Sequence, residues 1–138
     1  MNTINLMQIL FLFACFRIYS MQLPIELKGT LNVHCQLIQS DNKILVLAAR
    51  KYSNFADIAL IRYNADSSLD KSFASKGGLT ASDGRSIILK PVLLEILDDE
   101  KILVTSLAAD HTRVQHCYLA NGSVDWSFGD AGILRAKP

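Results

Sequence analysis

The chain has 138 residues, half of them hydrophobic and 20% charged, with fourteen Lys and Arg against thirteen Asp and Glu and a formal net charge of +1 at pH 7. That length holds one domain of modest size, and that composition supports a packed core and excludes a disordered segment. Neither sign of charge forms a block, so nothing marks a surface for nucleic acid or for an anionic membrane.

The first segment differs from the rest. From Ile4 to Phe16 the chain is almost wholly apolar, interrupted by Asn5 and Gln8 and closed by Arg17. The run falls short of the about 20 apolar residues that a spanning helix needs, so no stable membrane span is expected in the mature chain. It suits the apolar region of a signal peptide over residues 1–20, cut after Ile18-Tyr19-Ser20, and implies a secreted, periplasmic or envelope protein. No Lys or Arg precedes the run and Ile18 is bulky for its position. A buried segment, a start at Met7 or Met21, and a lipoprotein-type site at Cys15 therefore stand as alternatives. Residues 21–30, with Pro24 and Gly29-Thr30, read as an extended lead-in.

From Leu31 the pattern is that of short strands. Val33, Cys35 and Leu37 alternate with Asn32, His34 and Gln36, the period of a half-buried strand. Gln39-Ser40-Asp41-Asn42 supplies turn formers, and Lys43 to Ala49 is an aliphatic run expected to be buried on both faces. After a turn at Tyr52-Ser53-Asn54, the stretch Ala56 to Tyr63 shows no clean polar face, so both its faces are expected to be covered. A polar turn follows at Asn64 to Ser68. A second series runs from Ser86-Ile87-Ile88-Leu89 through Val92 to Leu97, a turn at Asp98-Asp99-Glu100, a strand from Lys101 to Ala108, a turn at Ala109-Asp110-His111, and an outer strand from Arg113 to Leu119. Sustained helical amphipathicity is absent, and the expected fold is all-β.

The two series are copies. Tyr63 to Leu79 returns as Tyr118 to Leu134 at a constant offset of 55 residues, keeping the aromatic, the turn, the aliphatic-Asp pair, the Ser-Phe pair and a Gly. Asp41-Asn42-Lys43-Ile44-Leu45-Val46 returns as Asp99-Glu100-Lys101-Ile102-Leu103-Val104 at an offset of 58, so one connection in the second copy is shorter. Such spacing signals one supersecondary unit stacked on the next. The units are residues 31–85 and 86–138. Asn121-Gly122 is a strong hairpin signal, because both residues tolerate positive φ; Ser67 replaces the Gly in the first copy and predicts a turn that is more strained or of another type. Phe73 and Phe128 are expected to fill the space between units. Asp70 with Ser72, and Asp125 with Ser127, are expected to cap backbone groups in a tight bend.

An aliphatic strand opening Asp-x-Lys-Ile-Leu-Val, a hairpin, a strand ending in Tyr, a polar turn and aliphatic-Asp-x-Ser-Phe-x-x-x-Gly together resemble the delta-60 repeat. The match runs through Asp41, Lys43 to Val46, Tyr63 to Asp66, Ser68 to Asp70, Ser72, Phe73 and Gly77. In the second copy it runs through Asp99, Lys101 to Val104, Asn121 to Ser123, Asp125, Ser127 to Gly129 and Gly132. Where the family carries Gly, this chain has Asn42, Ser67, Ala74 and Glu100. The resemblance implies bacterial, blade-like antiparallel sheets in tandem, common in exported proteins, and brings no catalytic residue, cofactor or metal. A propeller closes with roughly four to eight blades, so two blades leave a face open. Self-association to complete a ring, a protein partner covering that face, packing of the two blades on each other, or descent from a longer repeat protein of which this is a truncated or decayed fragment would each account for the low number.

The remaining candidates have plain structural readings. Cys35 and Cys117 lie at non-equivalent positions and read as two buried free thiols, with a disulfide as the alternative. Asn64, Asp66, Ser68 and Asp70 fall on alternate positions as calcium ligands do, but Leu69 stands where such a loop needs Gly, so a hairpin turn is expected. His111 and His116, with Asp110, are the only candidates for a metal-binding or hydrolytic site, and they lack the helical Glu-containing context of a zinc motif. Trp126 replaces Lys71 and offers an exposed anchor or, more commonly, packing between blades. The reading is a non-catalytic interaction or scaffolding protein with no cofactor.

Overall fold

The computed structural model describes residues 29–86 and 88–138. The signal peptide expected over residues 1–20, most of the lead-in and Ile87 lie outside the described residues. Eight strands and no helix occur among those described: β1 (Thr30–Ile38), β2 (Ile44–Tyr52), β3 (Phe55–Tyr63), β4 (Gly78–Ala81), β5 (Leu89–Ile96), β6 (Ile102–Ala108), β7 (Arg113–Tyr118) and β8 (Ile133–Ala136). They form two four-stranded antiparallel sheets, ordered β1-β2-β3-β4 and β5-β6-β7-β8. This is the all-β, blade-like architecture that the repeat implies. Each blade ends in a strand of four residues, too short for alternation to reveal. The expected outer strand from Arg113 is therefore an inner one, held between β6 and β8.

One turn recurs through both blades. Asn42, Ser67, Glu100, His111 and Gly122 take φ of 65°, 72°, 65°, 67° and 89°. Each donates its N–H to the carbonyl three residues back, at 2.9–3.0 Å. The Asp or Asn before each, namely Asp41, Asp66, Asp99, Asp110 and Asn121, accepts the N–H two residues on, at 2.9–3.3 Å. A carboxylate or amide thus closes a type I turn that ends on a left-handed residue, the usual three-residue hairpin connection. Of the Asn121-Gly122 pair, which forms the turn as expected, Gly122 alone has positive φ. Ser67 reproduces the same turn, strained and not of another type. Asn42, Ser67 and Glu100, with Ala74 at φ 48°, all keep the left-handed backbone that Gly adopts most readily. The shorter connection of the second copy is the β6–β7 hairpin, since Ile102 pairs Tyr118 as Ile44 pairs Tyr63.

A register shift between Val33 and Cys35 makes His34 a bulge, and one between Pro91 and Leu93 does the same for Val92. The bulge turns over the second half of β1. Leu31 and Val33 therefore join one face of the first sheet while Cys35 and Leu37 pack on the other, which corrects the single alternation expected for this strand. His34 Nε2 lies 3.0 Å from the Val92 carbonyl, so one bulge is fastened to the other across the blades.

Between the sheets lies the larger core. Leu45, Leu47, Ile58, Leu60 and Phe73 of the first blade meet Leu89, Leu94, Ile102, Val104, Val114 and Tyr118 of the second. Each such side chain contributes about 1.5–3 kcal/mol when fully buried. The opposite face of the first sheet is closed as well: Ile44, Val46, Ala48, Ala59, Ile61 and Tyr63 are all buried. Both expectations of double burial, for Lys43 to Ala49 and for Ala56 to Tyr63, hold over Ile44–Ala48 and Ile58–Tyr63.

Candidate functional site

Three polar centres are built into this scaffold, and the first is the corner after β3. Asp70 receives Lys43 Nζ at 2.8 Å, Arg62 Nε at 2.8 Å and the Ser72 N–H at 3.1 Å. Burial acts to raise its carboxyl, but these donors together outweigh it and hold Asp70 well below the ordinary carboxylate range. Arg62 lies 4.5 Å over the Phe73 ring and donates to the Ala120 carbonyl of the second blade at 2.7 Å. The Ala74 N–H adds a bond to the Asn121 carbonyl at 2.8 Å. The turn of one blade is thereby seated on the corner of the other. In the second blade Asp125 repeats the cap on Ser127 and pairs with Lys101 at 3.0 Å. There Cys117 stands where Arg62 stands, its thiol 3.9 Å from Asp125 and pushed up by burial.

The second centre is the β4–β5 connection. Asp83 is buried, accepts the N–H groups of Arg85 and Ser86 at 3.0 and 2.7 Å, and meets Arg135 of β8 at 3.4 Å. Arg135 also donates to the Asp83 carbonyl at 2.5 Å. Burial works against the ionised form, yet these partners keep the carboxyl below its usual range. Nearby, His116 of β7 is buried with its Nε2 3.3 Å from the Ser82 carbonyl and its ring stacked near Tyr118. An acceptor at that distance fixes the Nε2–H tautomer and leaves Nδ1 without a partner among the described residues. Burial, aided by Arg135, lowers its pKa against the opposing pull of the Ser82 bond and Asp83. A cleft of about 690 Å³ opens beside the connection, lined by Asp83, Arg85, Ile88, Asp110, Arg135 and Lys137 among others.

The third is the outer face of the second sheet. Thr105, Arg113 and Gln115 lie there, and the Gln115 amide donates to Thr105 Oγ1 at 3.1 Å. Around them Leu93, Leu107 and Leu134 are 46%, 36% and 43% exposed.

The residues singled out by sequence fall as follows. Asp110 and His111 sit in the β6–β7 turn, with Asp110 committed to the Thr112 N–H, whereas His116 points into the junction between blades. Among the described residues no group of three or more His, Cys, Asp or Glu gathers to hold a metal. Asp66 and Asp70 serve the turn and the corner separately. Cys35 is half-buried and Cys117 buried, both as free thiols. Phe73 fills the junction as expected, but Phe128 is only half-buried. Trp126 is 72% exposed, which corrects the expectation of packing between blades: no third unit covers it among the described residues. Sequence reasoning passed over Arg62, Asp83 and Arg135; a lone charge within an aliphatic strand such as Ala59-Leu60-Ile61-Arg62-Tyr63 was the available signal for the first.

A family model described as a domain of unknown function (DUF5122), beta-propeller, matches residues 39–73. This stretch runs from the β1–β2 turn to the Phe73 corner. It supports a β-propeller-like repeat. No curated protein and no solved structure matches the chain.

Proposed function

We propose that this chain is an exported, non-catalytic repeat protein of the delta-60 type in two copies, serving as an interaction or scaffolding module. The observation that carries this reading is the outer face of the second blade. Exposed Leu93, Leu107 and Leu134 surround a hydrogen-bonded polar centre, the apolar-with-polar mixture of a reversible protein contact. Asp70, Asp83 and Asp125, the buried carboxylates among the described residues, are each engaged by donors within the chain, which supports a structural role for them.

Light scattering on the full chain, with far-ultraviolet circular dichroism, tests it. A folded β-protein of discrete mass is expected. Grafting the first blade's side chains onto this face, as Thr105→Leu, Arg113→Ile and Gln115→Leu together, is expected to drive the chain into larger assemblies. Heterogeneous aggregates without cooperative unfolding in the unaltered chain favour the fragment reading. Stoichiometric zinc that is lost in His111→Ala or His116→Ala favours the metal-binding alternative.

A further inference from the structure

The trough at the junction of the blades has a chemistry of its own. Beside the cleft of about 690 Å³ lies a second of about 320 Å³, lined by Ile88, Lys90, Leu107, Ala108, Ala109 and His111. Ile88, Ala108 and Ala109 line both, so the two clefts share an apolar floor. The charges around that floor are unequal. Arg85 from the β4–β5 connection, Lys90 from β5 and Lys137 beyond β8 stand exposed at its edge. Asp83 and Arg135 neutralise each other, which leaves Asp110, among the described lining residues, as the one acid set against three cations. The Asp110 carboxylate is itself held below its ordinary range by the Thr112 backbone and side chain, with a smaller contribution from Lys137.

We propose that this trough binds an acidic peptide segment in which carboxylates flank an aliphatic side chain. The aliphatic group would rest on Ile88, Ala108 and Ala109. Cations carried on three separate elements suit a ligand with more than one carboxylate, and an apolar floor selects against a bare inorganic anion. The site adjoins the outer face of the second blade at Leu107, which lines the smaller cleft, and extends the proposed interaction role to a partner of stated chemistry.

The test uses the full chain and three labelled, capped pentapeptides in fluorescence anisotropy, alternating Leu with Glu, with Gln or with Lys. Saturable binding of the Glu peptide is expected, weakened by added salt, with the Gln and Lys peptides at least about tenfold weaker. Joint reversal of the rim, Arg85→Glu with Lys90→Glu and Lys137→Glu, is expected to abolish binding of the Glu peptide. All three side chains are exposed, so the fold is retained, and circular dichroism verifies it. Asp110→Asn should tighten binding by about twofold, as removal of a screened like charge does. Absence of saturation by about 1 mM, equal binding of all three peptides, or binding that survives the rim reversal each overturns the site. None of those outcomes bears on the solution mass, so a failure here is separable from failure of the interaction role.

Discussion

Leu47, Ile58 and Leu60 of the first blade are answered in the second by Thr105, Arg113 and Gln115. The backbone positions are the same, paired in the same register, yet one set is buried between two sheets while the other forms the outer face. A face with a neighbour keeps aliphatic side chains, because burying a polar group without a partner costs several kcal/mol. A face without one tolerates the hydroxyl, the guanidinium and the amide. The same logic reaches the corner. Arg62, which spans from Asp70 to the next blade's Ala120 carbonyl, gives way to Cys117 where no next blade is present among the described residues.

Truncating the paired phenylalanines separates the two blades most strongly. Phe73 is fully buried between the sheets and Phe128 is not. Phe73→Ala is expected to cost about 3–5 kcal/mol of unfolding free energy, read from urea denaturation, whereas Phe128→Ala should cost a minor fraction of that. Equal losses would mean that Phe128 is covered in solution, by a second copy or a partner.

Next in size is the pair of corner carboxylates. Asp70→Ala strands Arg62 in the interior without its counter-charge, an effect of about 3 kcal/mol for a buried pair broken on one side. Asp125→Ala frees Lys101, which reaches solvent, beside a neutral thiol, so a smaller loss is expected. Both carboxyls are depressed in the fold, so the stability they supply is complete above about pH 4, their unfolded value, and drains away as pH falls below it. Acid titration of the two variants should show a shallower acid limb than the parent, more so for Asp70.

His116 occupies the place held by Ile61 in the first blade, and its effect has the same direction at a higher pH. A histidine whose pKa is lowered on folding is stabilising in its neutral form; that stability is present above the unfolded value of about 6.5 and is lost as pH falls towards the folded one. Protonation would place a hydrogen on Nδ1, which has no acceptor among the described residues, in a site shared with Asp83 and Arg135. Unfolding free energy should therefore fall as pH drops below about 6.5, above the range in which the carboxylates act. His116→Ile should lower stability overall, through the lost Ser82 bond, and flatten that slope; an unchanged slope would sink the assignment.

Much of this difference was hidden in the sequence for physical reasons. The 55-residue echo, the aliphatic strands and the Asp-Ser-Phe corner were legible because they recur. The bulges at His34 and Val92 were not, since a single extra residue leaves no periodic trace. The four-residue strands β4 and β8 are shorter than any alternation can report. Exposure of Trp126 depends on what lies beyond the second blade, which no local pattern encodes. The cleft at the junction draws on residues from 83 to 137, brought together only by the fold.

The smallest expected effect, that of Ser67→Gly, belongs with its larger reverse to the most direct test of how one unit was adapted twice. Ser67 and Gly122 hold the same place in the same turn, at φ 72° and 89°. A side chain in the left-handed region is strained, so Ser67→Gly should raise stability by roughly 0.5–1 kcal/mol by relieving it. The reverse change is not its mirror image. A Cβ on Gly122 would lie 2.8 Å from Ala74 Cβ and 2.9 Å from Phe73 Cε2, because this turn, unlike its counterpart, is seated on the other blade's corner. Gly122→Ser should therefore carry the left-handed strain and, in addition, about 1–3 kcal/mol of overpacking against the junction. Thermal melts of the two variants and of the double exchange measure both. If Gly122→Ser costs no more than Ser67→Gly gains, the seating of the second blade's turn on the Phe73 corner does not persist in solution.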